Sequence, residues 1–581
     1  MLRPGMVAVV VSVLTLDAVA GGQETTFRTR VVVCQQGDAA EAGLEAMRRG
    51  GNAVDAAIAT ALALAVTHPA AGNIGGGGFL VAYLAEPRRV VTVDFREAAP
   101  KASSEQMYLG NDGKLLAKHR AGPRAAGVPG TVRGLGLAHE KWGKAAWADL
   151  VRPAATLARR GFPISATLAN SLNAQVLPQG KVDPAALVAE DLGPQSDRLA
   201  DFAASVAAFR KPDGTPWRAG DRLIQGDLAD TLDRIAATGP SEFYEGATAR
   251  KIVAHMDQLG GLVTLDDLAA YRARERPPVR GTFRGSEIYG MGPPASGGIV
   301  ILQALNILER FDLKADGPRS PTTLHRVTEA MRRGFFTRAT VIADPDFVAV
   351  PVDRMVSKSL ADELARTITD RATPSARLAP FPILGAEGEH TTHLSTLDGD
   401  GNAVALTYTL EEGYGSKSVV AGAGFLLNNE MGDFNLIPGR TDAAGRIGTP
   451  ANRIEPGKRM LSSQSPTIAV KDGKVRLVTG SPGGRTIPNT TLWVVLNVLE
   501  FGLSPREAVE APRTHHPWFP DVLTLEGTSW DAATREALAA LGHRIKVGGT
   551  QGDAHTIVVD EAGVIHGVPD PRRKTSRAAG D

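Results

Sequence analysis

The spacing of hydrophobic positions changes along this chain, and the change divides it. An apolar run at 6–16 follows Arg3 and precedes the small residues Ala18-Val19-Ala20, the pattern of a secretory signal peptide over 1–20. The run is shorter than the roughly 20 residues that cross a bilayer, so no stable membrane span is predicted there or elsewhere. A short strand is predicted at 30–35, then two helices across 38–66, separated at Gly50-Gly51 where helical backbone would be costly. The second helix is Ala-rich and suited to close packing. A glycine loop, Gly72-Asn73-Ile74-Gly75-Gly76-Gly77-Gly78, leads into a strand-like segment at 79–84. Helical periodicity dominates 144–277, with segments at 152–160, 227–238, 245–258 and 265–270, and continues at 297–310 and 322–340. A Pro-rich stretch at 373–390 reads as an exposed linker. Beyond it the period drops to two, with strands at 392–397, 403–409, 467–470 and 475–479 before a helix at 487–501.

Composition narrows the function classes. A chain of 581 residues exceeds one ordinary core, so two domains or one large layered unit are expected. With 64 Lys plus Arg against 63 Asp plus Glu, nothing favours nucleic acid or an anionic membrane as partner. The single cysteine, Cys34, excludes an intrachain disulfide and a thiolate zinc site, and no role follows for it. The 12 histidines form no His-Glu-x-x-His pattern, and His515-His516 beside Pro517 reads as structural, so neither metal nor other cofactor is expected. The glycine loop lacks a following Gly-Lys-Ser/Thr and enters a strand, which rejects a nucleotide cradle. Asp344 and Asp346 read as turn formers.

Candidate chemistry concentrates after the linker. His390-Thr391-Thr392-His393 puts a threonine at a strand start, where cleavage of the chain could leave its own amine beside its hydroxyl; β-branched packing is the ordinary alternative. Alternation puts Thr407, Thr409 and Glu411 on one face of the next strand, within a hairpin of Thr391. Glu430 and Asp433 lie among apolar neighbours, where carboxylates need a cation, unless they form a solvated turn. Gly480-Ser481-Pro482-Gly483-Gly484-Arg485 misses the nucleophile-elbow pattern because its serine is second and not central. Gly483 and Gly484 can instead offer unhindered backbone N–H groups to an oxyanion, or simply form a turn.

Taken in order, these motifs resemble the gamma-glutamyltranspeptidase family of N-terminal nucleophile hydrolases. The likeness runs from Gly50-Gly51-Asn52-Ala53-Val54-Asp55-Ala56 through the glycine loop, Asp94-Phe95-Arg96-Glu97-Ala98-Ala99-Pro100, Gly127-Val128-Pro129-Gly130 and Pro293-Pro294-Ala295-Ser296-Gly297-Gly298. It continues through the C-terminal third, including Lys458-Arg459-Met460-Leu461-Ser462-Ser463, Pro512-Arg513 and Asp570-Pro571-Arg572-Arg573. The resemblance implies an α+β fold, a four-layer αββα sandwich formed jointly by two autoproteolytic fragments. A precursor would cut its own His390–Thr391 bond to give a large subunit, 21–390, and a small catalytic subunit, 391–581, which stay together as a heterodimer. Thr391 would be the nucleophile, Thr409 its hydrogen-bond partner, and Gly483 and Gly484 the oxyanion donors. Arg96, Ser462 and Ser463 would hold the substrate α-carboxylate, and Glu411, Glu430 and Asp433 its α-amine.

The implied activity is γ-glutamyl transfer and hydrolysis in the periplasm or outside the cell, with glutathione first among donors and water, amino acids or peptides as acceptors. A glutaryl (cephalosporin-type) acylase, a poly-γ-glutamate hydrolase, and a non-catalytic exported binding protein are the alternatives. The physical chemistry is coherent: an α-amine, with a pKa of about 7.7–8.0 against about 10.4 for lysine, suits general-base work near neutral pH. One arginine and two serines opposite up to three carboxylates match a zwitterion, whereas a plain acyl chain has no use for the carboxylates. Glu411 stands where many members carry asparagine. The segment 438–456 is long enough for a lid loop over the pocket but has no aromatic residue to gate it.

Overall fold

The strands Gly77–Leu84 and Ala403–Glu411 are buried along almost their whole length, so each needs cover on both faces. A computed structural model describes residues 25–178, 197–378, 390–437 and 450–581 and shows what supplies that cover. The expected signal peptide, most of the expected linker (379–389) and most of the expected lid (438–449) lie outside the described residues.

Two antiparallel seven-stranded sheets stack on each other. The first runs, edge to edge, Arg577–Gly580, Val31–Cys34, His390–Leu397, Ala403–Glu411, Gly77–Leu84, Arg89–Asp94 and Arg274–Arg276. The second runs Thr25–Phe27, Ile565–Val568, Thr556–Val559, Lys474–Thr479, Thr467–Lys471, Ser286–Gly290 and Val279–Phe283. The pleat sorts side chains between layers. Val31, Val33, Phe79 and Val81 meet Ile468, Val478 and Ile557 between the sheets. Val32, Cys34, Leu80 and Leu406 point the other way, into helical cover that includes Ile58 and Leu62. Ala469, Leu477 and Val558 of the second sheet pack on helices through Ile299, Leu324 and Val494. The order is helix, sheet, sheet, helix, the expected αββα sandwich.

Local chemistry explains the elements nearest the site. Helix Ala53–Thr67 starts in a capping box between Asn52 and Asp55, and every residue in it is buried. Its small side chains allow close approach: a Cβ on Gly43 of the preceding helix would lie 2.1 Å from Thr60 Oγ1. The glycine loop serves packing. A Cβ on Gly76 would lie 2.0 Å from the carbonyl oxygen of Thr409, and Asn73 Nδ2 donates to that oxygen at 2.8 Å.

Several expectations needed correction. The linker was expected to be exposed from 373, yet Ser375 is fully buried; its hydroxyl donates to the Trp518 carbonyl at 2.6 Å and its N–H to Asp521 at 2.8 Å, so its polarity is spent inside the protein. The helix expected at 245–258 is two, Ser241–Glu245 and Ala247–Leu259, broken at Gly246. The one expected at 487–501 ends at Leu499. His515 and His516 are structural as expected, bonded to Asn489 and Asp521.

Packing around Phe95 makes a direct test. A Cβ on Gly134 would lie 2.2 Å from Phe95 Cγ. We expect Gly134→Ala to lower stability by about 1–3 kcal/mol through overpacking, measured by denaturant unfolding. Gly226→Ala, at a helix start with nothing within 4 Å of the new methyl, should leave the midpoint unchanged or raise it.

Candidate active site

Pairing of His390–Leu397 with Ala403–Glu411 sets Thr391 opposite Thr409. The Thr391 hydroxyl donates to Thr409 Oγ1 over a long 3.4 Å, and that oxygen also accepts from the Glu411 N–H at 2.8 Å. Thr391 is 8 % exposed, so its hydroxyl lies in a sheltered site. The ladder slips between His390 and Thr391, and Glu411, which pairs with His390, takes a left-handed backbone with φ 78°. For a non-glycine residue that conformation costs about 1–3 kcal/mol, so the surroundings must hold it. Glu411 therefore reaches the site through this backbone turn and not by the simple alternation expected for it. Gly432 makes the room: a Cβ there would lie 2.7 Å from Glu411 Oε1. The His390 side chain is outside the described residues.

The glycine turn approaches from the other sheet. Gly483 and Gly484 have φ of 124° and 54°, backbone that glycine adopts readily, and they lead into helix Ile487–Leu499. A Cβ on Gly480 would lie 2.4 Å from His393 Cε1, so the turn rests directly on the strand that carries Thr391. Burial, with a smaller push from His555, holds the His393 imidazole well below its ordinary pKa and therefore neutral.

Arg96 is the charged centre. It is fully buried, and its guanidinium donates to Glu430 and Asp433, to the Met460 carbonyl at 3.3 Å and to the Leu461 carbonyl at 3.2 Å. Burial disfavours its charge, but Glu430, Asp433 and Glu97 more than offset this and raise its pKa. Its backbone is fixed as well: its N–H donates to Asp94 at 3.0 Å, and its carbonyl accepts from the Tyr271 hydroxyl at 2.7 Å. Asp94 in turn is clamped by Arg276 and Arg459.

Thr391, Thr409, Gly484 and Arg96 border one small pocket of about 20 Å³. Glu411, Glu430, Asp433, Ser462 and Ser463 also line it, whereas Gly483, expected beside Gly484, is not part of the lining. Three further residues in its wall escaped the sequence reading: Arg338, Gln464 and Ile487. Arg338 Nε donates to Ser296 Oγ at 3.2 Å, and that hydroxyl donates to the Ser462 carbonyl at 2.7 Å, so the arginine braces the serine pair. Glu97 also escaped, although it adjoins Arg96 in the quoted motif. It is fully buried and neither carboxylate oxygen has a hydrogen-bond partner. Burial pushes Glu97 up to about 7 and Glu430 well above the carboxylate range, against the pull of Arg96.

Two stacked antiparallel sheets with helical cover give the fold of the N-terminal nucleophile hydrolases, and Thr391 and Gly484 border one pocket in it. The gamma-glutamyltranspeptidase family model matches residues 39–580, and the chain belongs to that family. It is 42% identical over 549 residues to the glutathione hydrolase proenzyme of Escherichia coli, covering 93% of this chain and 90% of that protein. Among solved structures, it superposes on the cephalosporin acylase from Bacillus halodurans with TM-score 0.81 at 26% identity, covering 99% of each chain. On Helicobacter pylori gamma-glutamyltranspeptidase the TM-score is 0.54 at 38% identity, over 59% of this chain and 93% of that one.

The raised carboxylates set a pH dependence. Burial raises Glu97 and Glu430 above the ordinary carboxylate range, so a zwitterionic amino acid that enters this pocket meets the fully ionised cluster only above those raised values, and its binding should weaken as pH falls through them. In Glu97→Gln the like charge beside Glu430 is gone, and the weakening should move to lower pH. Equilibrium binding of L-glutamate between pH 5.5 and 8.5 checks both; identical profiles would contradict the electrostatic account.

Proposed function

We propose that this chain is a self-processing γ-glutamyl transferase and glutathione hydrolase. The observation that carries the reading is the convergence of one sheltered threonine, one glycine turn, one arginine and several carboxylates on a single small pocket. In the precursor, the Thr391 hydroxyl attacks the His390 carbonyl carbon; the C–N bond breaks, its nitrogen takes the proton, and an ester forms. Water then hydrolyses that ester, leaving a carboxylate on His390 and an α-amine on Thr391. Fragments 21–390 and 391–581 remain as a heterodimer.

The new amine is the general base for turnover. It takes the Thr391 proton as the oxygen attacks the γ-carbonyl of a γ-glutamyl amide, and returns it to the departing amine. Gly483 and Gly484 N–H groups stabilise the tetrahedral oxyanion, each worth roughly 3 kcal/mol. Water or an acceptor amine resolves the γ-glutamyl ester. Arg96, Ser462 and Ser463 take the donor α-carboxylate while Asp433, Glu430 and Glu411 take its α-ammonium. Donor entry therefore exchanges an internal ion pair for an external one: Arg96 gives up Glu430 and Asp433 to a carboxylate, and they receive the ammonium in return.

The likeness to a cephalosporin acylase supports a second reading, cleavage of glutaryl amides. Such an acyl group brings no ammonium, so it would strip Arg96 from its carboxylates without compensating them. Competing release from glutathione, a glutaryl amide and poly-γ-glutamate decides between these readings, with glutathione expected to win.

Two variants test the roles. Thr391→Ala should release no γ-glutamyl group from any donor. Arg96→Lys keeps the charge but loses the planar fork, and should weaken donor kcat/KM by about 2–4 kcal/mol, or roughly 30- to 1000-fold. An unchanged kcat/KM in that variant would remove Arg96 from the donor site.

A further inference from the structure

A second cleft, of about 210 Å³, shares no lining residue with the pocket at Thr391. Its wall carries three consecutive cations, Arg572, Arg573 and Lys574, and no carboxylate lines it. Arg572 is neutralised by Glu526 and Asp570. Lys574 is exposed and ion-paired to none of the described residues.

Two helices begin at this cleft. Gly37–Arg48 starts at Gln36, whose side chain makes no capping bond, and Ala166–Val176 starts at Ser165. Both present the positive end of the helix dipole; Ser165 caps its own helix by accepting from the Leu168 N–H at 3.1 Å, whereas the start of Gly37–Arg48 has no side-chain cap. Asp38, in the first turn of the former, is not part of the lining. Gln35 is the independent sign of a ligand. It is 2 % exposed, it lines the cleft, and its Oε1 has no hydrogen-bond partner. A buried amide in that state is stabilised by any occupant that can bond it. Thr167 and the Tyr414 hydroxyl add further polar contacts, while Ala70 and Leu168 supply apolar surface.

The cleft also touches the catalytic machinery at one remove. Arg573 Nε lies 3.6 Å from Asp553 Oδ2, and the Asp553 N–H donates to Ser481 Oγ at 2.8 Å. Ser481 belongs to the turn that ends in Gly483 and Gly484. An anion that draws Arg573 away changes the charge balance at Asp553, whose carboxylate is buried beneath that turn.

We propose that this cleft is a second ligand site, which takes a small organic anion bearing a carboxylate and an amide, and that its occupancy is felt at the oxyanion turn. The second half rests on the roles given above to Gly483 and Gly484; the binding does not.

Calorimetric titration of the full-length protein with N-acetylglycine tests the site, because this probe has no amine to accept an acyl group or to meet Asp433. Inorganic phosphate is the parallel arm. Wild type should bind N-acetylglycine saturably, Lys574→Glu about tenfold or more weakly, and Thr167→Trp, which fills the cleft, not at all. Arg96→Lys should bind as wild type does. Saturating probe should shift kcat for γ-glutamyl release in wild type, with no such shift in Lys574→Glu. Absent binding, equal binding by the two cleft variants and wild type, or loss in Arg96→Lys would overturn the site. Tighter binding of phosphate would overturn the carboxylate assignment, and an unchanged kcat at saturation the coupling. Probe binding by a protein that turns over no donor would fault the proposed function and leave the site standing.

Discussion

A guanidinium taken wholly out of water must be surrounded by acceptors, and Arg96 is the point where the molecule meets that demand. Its bonds to Glu430, Asp433, Met460 and Leu461 all reach across residue 391 in the chain. The desolvation of such an ion costs several kcal/mol, repaid only when every partner is in place. The pocket therefore exists only in the assembled sandwich. Strand order has the same consequence: Val31–Cys34 lies between Arg577–Gly580 and His390–Leu397, and Lys474–Thr479 and Thr467–Lys471 lie inside a sheet with Ser286–Gly290 at their flank. The parts before and after residue 391 interleave in both sheets, so continuity of the linker is not what holds them together.

The same packing preorganises the chemistry. Thr391 sits on a strand whose neighbours are set by ladder pairing, and the glycine turn rests on His393 through a contact that only glycine permits. The glycine turn and Thr391 thus belong to two sheets pressed together, and in the proposed roles of donor and nucleophile they leave little reorganisation for the reaction itself. When no donor is present Arg96 pairs with Glu430 and Asp433, and the raised pKa values of Glu97 and Glu430 lessen the negative charge that one arginine cannot offset. A zwitterion can replace that pairing; a singly charged acyl group cannot.

Much of this was legible in the sequence because it depended on short-range pattern. Period-two alternation located the hairpin that sets Thr391 opposite Thr409, and Gly50-Gly51 marked the break between the two first helices. What escaped depended on tertiary meeting. Arg338 lies on helix Pro321–Val341, far from Ser462 in sequence, and nothing local marks it as a pocket residue. Glu97 was visible beside Arg96, but its full burial, with a carboxylate oxygen 3.6 Å from the guanidinium, was not. Glu411 was placed at the site by the wrong geometry, since alternation cannot foresee a left-handed residue. The exposed linker failed at Ser375 because its partners, Trp518 and Asp521, arrive from a distant segment. The second cleft draws on five separate stretches of chain, none of which carries a motif for it.

The central claim is that Thr391 becomes catalytic by cutting the chain in front of itself. Intact mass of the purified protein under denaturing conditions, with N-terminal sequencing of each species, measures this directly. The account predicts two fragments, the smaller beginning at Thr391. A single uncut chain after prolonged incubation, or a new N-terminus at any other residue, would contradict it.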